Sequence, residues 1–197
     1  MAQYGDPEGT FSSIKTVAEP GDVTAYRTTP QFAVSVGKFA VMSLCTFGFY
    51  EVYWAYKHWD AMRRREQERL SPFWRAFFAP LWGFSLLPRL QQLTAVYGVP
   101  ATWSGSGLAL AYFILHIGYR LPDPLWLISL LSFIPLLVVQ RSVNQLNRAV
   151  APEAPRNASY SGLNVVAIVL GGLMLLLAIV GTLMPPPGAQ LPVPVST

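Results

Sequence analysis

Charge is the scarcest property of this chain. Of 197 residues only 14 are Lys or Arg and 10 are Asp or Glu, and charged residues make up 12%. Soluble domains average about 25% charged. With hydrophobic residues at 52% and a mean hydropathy of +0.36, an ordinary soluble domain is excluded and a membrane protein is expected. Cysteine is nearly absent, which excludes a disulfide framework; the single Cys45 lies in an apolar run where a thiol packs without chemistry. Two histidines, His58 and His116, make no metal cluster at any recognisable spacing. There is no H-E-x-x-H, no glycine-rich phosphate loop, no Ser–His–Asp arrangement and no pair of carboxylates within an apolar block, so no catalytic, cofactor-binding or metal residue is assigned. A basic leader with a short apolar core and a small-residue cleavage site is also missing. The first apolar block is therefore expected to stay as a membrane segment.

What is present is blocks. Residues 1–31 read as a disordered polar tail, 32–185 as one membrane helical domain and 186–197 as a proline-rich tail. Within the domain, residues 37–56 and 163–184 are each long enough to cross a bilayer of about 30 Å. Residues 108–119 and 125–139 are shorter and joined by "RLPDP", the pattern of a helical hairpin with Tyr119 and Trp126 as interfacial aromatics. The 72–93 block holds Arg75, Pro80, Gly83 and Pro88, and is expected to be re-entrant or interfacial.

Basic residues accumulate on the cytoplasmic side of a membrane, and their distribution arbitrates between topologies. Lys57, Arg63, Arg64, Arg65, Arg69 and Arg75 follow the first block and place it inside. If 72–93 spans, the charges divide evenly; if not, ten of the 14 fall inside. The expected fold is all-α, a polytopic helical bundle of four spans plus one re-entrant or interfacial aromatic segment, with both termini outside. Residues 57–104 and 140–160 are then cytoplasmic, and five spans is the alternative.

Glu51 is the one acid inside an apolar block, and an ionised carboxylate there needs a partner or water. Two readings stay open: a docking contact to Arg75 of the neighbouring aromatic block, or a proton-carrying or substrate-binding carboxylate acting with His116. His58 lies on the same helical face as Glu51. His116, the only ionisable group in its block, either bonds a neighbouring helix or relays protons. Arg63, Arg64 and Arg65, interleaved with Asp60, Glu66 and Glu68, orient the chain and suit an anionic lipid surface, with Trp59, Met62 and Leu70 turned toward lipid. These membrane-flanking charges do not make a nucleic-acid surface. In "VVQRSVNQLNRAV", Val139, Val143, Leu146 and Val150 form one apolar stripe. Ala167 and Gly171 give the last block a small-residue face suited to a second copy or a partner membrane protein.

The string Thr46-Phe47-Gly48-Phe49-Tyr50-Glu51-Val52-Tyr53-Trp54-Ala55-Tyr56 resembles the T-x-G-x-Y-x-x-Y-W-x-Y pattern of small bacterial multi-pass inner-membrane proteins that carry a domain of unknown function. It covers about a tenth of the chain. The resemblance implies a bacterial inner-membrane location and supplies no activity. The leading expectation is a non-enzymatic accessory, scaffold or lipid-interacting subunit. A small transporter or channel component using Glu51 and His116 comes second, and a lipid-acting membrane enzyme third.

Overall fold

Long apolar blocks without period-2 alternation dictate helices, and the computed structural model, which describes residues 30–66 and 68–184, contains no strand among them. The terminal tails fall outside the described residues, apart from Pro30 and Gln31. Among the described residues seven α-helices follow in order: α1 Val36–Cys45, α2 Phe49–Glu66, α3 Pro72–Phe77, α4 Ala79–Val96, α5 Gly105–Ile117, α6 Phe133–Val150 and α7 Gly162–Leu183. Short 3-10 turns, Gly118–Arg120 and Leu125–Leu131, flank the Pro-Asp-Pro loop between α5 and α6.

The first apolar block is not one helix. α1 stops at Cys45 in a capped reversal: Gly48 N–H donates to Ser43 O (2.9 Å) and Phe47 N–H to Leu44 O (3.3 Å), the paired bonds of a left-handed C-terminal turn. Phe47 and Gly48 carry the positive φ values, 51° and 85°, that this turn requires. Thr46 ties both helices, donating its hydroxyl to Met42 O (2.7 Å) and accepting from Tyr50 N–H (3.0 Å). In an unbroken helix Phe39 and Trp54 stand about 22 Å apart; here their rings lie 5.7 Å apart, so α2 folds back along α1. The Thr-x-Gly-x-Tyr string is thus a helix-reversal turn, where the sequence had placed the interior of a continuous span.

α1 also runs beside the first half of α7. Lys38, in its first turn, donates to Asn157 Oδ1 and Ser159 O, both at 2.8 Å, just ahead of α7. At its other end, a Cβ on Gly171 would overlap the Cys45 carbonyl oxygen. Gly171 stands near the middle of the 22-residue α7, so the reversal at 46–48 lies opposite that helix's midpoint. α4 and α5 form an antiparallel pair: Gly83 lies against Tyr112, the Phe84 and Phe113 rings are 5.9 Å apart, and a Cβ on Gly105 would meet Pro88 at 2.6 Å. α6 returns beside α5, with Trp103 Nε1 donating to Ser142 Oγ (2.8 Å). Its expected stripe is realised, Val139, Val143 and Leu146 being buried.

By length and composition two helical segments suffice to cross a membrane, Leu125–Val150 (26 residues) and Gly162–Leu183 (22 residues). The all-helical class stands; a count of four full spans does not follow from these helices. Trp59, Met62 and Leu70, expected to face lipid, are buried instead, because α3 and α4 fold back over α2. The aromatic residues of α3 and its junction with α4, Phe73, Trp74, Phe77 and Phe78, are exposed.

Candidate functional site

The reversal at 46–48 puts Glu51 in the first turn of α2, where the N-terminal helix dipole favours a carboxylate. Its side chain is buried, at 1% exposure. Ser132, at the junction of the 3-10 turn and α6, donates its hydroxyl to Oε1 at 2.8 Å. The Tyr112 hydroxyl of α5 lies beside the same carboxylate, close enough to act on it electrostatically but short of full hydrogen-bond geometry. Oε2 has no hydrogen-bond partner among the described residues. Three segments therefore meet at one acid.

His116 belongs to the same region. It stands one turn beyond Tyr112 on α5, the two rings 5.3 Å apart, and its Nδ1 is buried without a hydrogen bond. Together with Phe47, Tyr119, Trp126 and Ser132 it lines a cavity of about 300 Å³. Ser132 thus both faces the cavity and bonds Glu51. An aromatic-walled hollow floored by a hydroxyl that reports to a buried, uncompensated carboxylate suits a proton or a monovalent cation. Among the described residues no group of three His, Cys, Asp or Glu side chains is placed to hold a metal ion.

The other two residues singled out in the sequence lie elsewhere. The Arg75 guanidinium, expected opposite Glu51, is stacked between Trp59 and Trp82, 4.6 and 4.5 Å from their ring centroids. Cation–π contact holds this arginine without desolvating a second charge, which is the physical reason that the ion pair is not made. His58 sits in a separate polar network: its Nδ1 is 3.1 Å from Gln31 Oε1 and its Nε2 3.4 Å from Gln140 Oε1. Gln140 is the hub, accepting from Trp54 Nε1 (2.6 Å) and donating to Asn144 Oδ1 (2.8 Å) and Phe32 O (3.2 Å). Asn147 exchanges two bonds with the Gln31 backbone. This network fastens the segment preceding α1 to α6, so Gln31 is a buried anchor. Of the arginine cluster, Arg63 and Arg64 both bond Asp60 at 2.6 Å; Arg65 is half-buried.

Ser132, Tyr112 and Gln140 were not foreseen from the sequence. Gln140, Asn144 and Asn147 do carry a signal, an i, i+4, i+7 polar stripe beside the apolar one on α6. Ser132 and Tyr112 carry none.

Compared with protein-family models, with curated proteins and with solved structures, the chain matches none. Its function is therefore read from the site alone.

A double-mutant cycle on thermal stability in detergent separates the contacts. Glu51→Leu and Ser132→Ala should be coupled by about 1 kcal/mol, whereas Glu51→Leu and Arg75→Ala, which share no partner, should add within about 0.5 kcal/mol. Coupling between positions 51 and 75 would restore the docking pair.

Proposed function

We propose that the chain is a multi-pass protein of the bacterial inner membrane whose α1–α2 and α3–α4 pairs enter and leave from the cytoplasmic side. Three segments cross: α5 with its 3-10 extension, Leu125–Val150 and α7. Two observations support this arrangement. α1 is about 15 Å long, half of a ~30 Å hydrocarbon core, and its capped end lies opposite the middle of α7. In addition, every one of the 14 Lys and Arg residues except Arg120 then falls on one side, a stronger bias than the four-span arrangement gives.

The activity that the geometry supports best is a small transporter or channel component that handles protons or monovalent cations through Glu51 and His116. A single observation carries it: a helix broken near the midpoint of the neighbouring span presents a buried carboxylate, with no cationic partner among the described residues, beside an aromatic-lined cavity. Discontinuous helices framing a midplane site are the common architecture of such proteins. The accessory or lipid-organising reading is favoured by a different feature, the α3 aromatics and the exposed apolar side chains of α7, which present a broad apolar surface to lipid.

The two readings separate in sealed liposomes. With a transmembrane pH gradient and Na⁺, K⁺ or tetraethylammonium on one side, the reconstituted protein should dissipate the gradient. Glu51→Gln should slow this at least tenfold while leaving the melting temperature nearly unchanged. Liposomes as tight with wild-type protein as without it, for all three cations, would leave the accessory role as the function.

A further inference from the structure

We propose that the hollow between the start of α1, the end of α6 and the loop before α7 binds a phosphate group, carried by a phosphomonoester lipid headgroup or by soluble phosphate. The hollow has a volume of about 120 Å³, and Arg148 and Arg156 both line it. Its remaining wall is small or neutral, Ala33, Ala151, Ala154 and Ala158 among it. No carboxylate lines it among the described residues, although Glu153 is in the same loop.

Four other arginines are held within the protein. Arg63 and Arg64 are held by Asp60, Arg89 by Glu66 and Glu68, and Arg75 by two tryptophans. Arg148 and Arg156 form no ion pair among the described residues, and both are exposed. Two unneutralised guanidinium forks on one small concavity match a phosphate dianion, which accepts a bidentate pair from each. The loop is fixed in place, because Lys38 bonds Asn157 and Ser159. The polar lining is already spoken for: Asn144 and Asn147 bond Val34 O and Gln31, and Ser35 caps α1. Among the described residues this leaves the two arginines as the side chains of the hollow without a hydrogen bond or ion pair. Arg156 stands six residues before the start of α7, the level of a phospholipid headgroup if α7 crosses the membrane. The lipid source rests on that membrane reading; the phosphate chemistry does not.

The test is titration calorimetry on the full chain in detergent with three probes: dihexanoyl phosphatidate, inorganic phosphate and dihexanoyl phosphatidylcholine. Phosphatidate should bind, phosphatidylcholine should bind at least tenfold more weakly, and Arg148→Gln and Arg156→Gln should each weaken phosphatidate at least tenfold. The melting temperature without ligand should not change, since neither arginine's side chain bonds another described residue; Arg156→Gln, in the loop, keeps the test usable if the helical variant folds poorly. Phosphatidate binding at least tenfold tighter than inorganic phosphate assigns the site to lipid, and equal affinities assign it to soluble phosphate. Binding of neither phosphate probe, equal binding of phosphatidylcholine and phosphatidate, or unweakened binding by the variants would overturn the proposal.

Discussion

Gly171→Leu should separate α7 from α1 and lower stability by about 3 kcal/mol or more, the upper range of forced overpacking. Any Cβ at this position overlaps the Cys45 carbonyl oxygen, a backbone atom that cannot swing aside as a side chain would. Between apolar helices in lipid, attraction comes from close packing, so lost approach is lost affinity. Gly172→Ala is the control, because a Cβ there meets only Cys45 Sγ at 4.0 Å. Thermal unfolding in detergent should show a large drop for Gly171→Leu, a smaller one for Gly171→Ala and almost none for Gly172→Ala, with membrane insertion intact in all three. The small-residue face expected to recruit another protein is thus used, at Gly171, within the chain.

Gln140→Leu should be comparably damaging for a different reason. One amide serves Trp54 Nε1, His58, Asn144 and the Phe32 carbonyl, all in or beside the core. Leucine fits the volume but leaves these groups without their partner, and each orphaned buried polar group costs about 1–3 kcal/mol. A loss of about 3 kcal/mol is expected, together with faster proteolysis ahead of α1, because the network is what fastens that segment to α6. Unchanged proteolysis with a normal melting temperature would mean that water replaces the amide.

These two positions mark what the sequence reveals and what it conceals. α7 and the Pro-Asp-Pro hairpin are legible because unbroken hydropathy and paired prolines act locally. The apolar stripe of α6 is legible for the same reason. The reversal at 46–48 is masked by its own surroundings: averaged over 20 residues, the apolar character of Phe47 and Phe49 hides a turn whose local sign is only Gly48 after Thr46. Glu51 was recognisable as the residue needing an explanation, since a lone acid in an apolar block is costly. Its partner was not, because charge complementarity pointed to Arg75 while two tryptophans, 16 residues before and 7 after it, offered that arginine its stacking site. Trp59 and Met62 were placed toward lipid on helical spacing alone; that spacing defines a face but not what folds over it.

The central claim is that α1 and α2 enter and leave the membrane on one side. It is tested most directly by labelling single cysteines, in a Cys45→Ala background, with a membrane-impermeant maleimide added to intact cells and to inverted vesicles. Cysteines at Arg27, Glu68 and Glu153 should all react only in inverted vesicles, and a cysteine at Asp123 only in intact cells. Labelling of position 27 from the same side as position 123, and opposite to position 68, would mean that the first apolar block crosses the bilayer and would contradict the re-entrant hairpin.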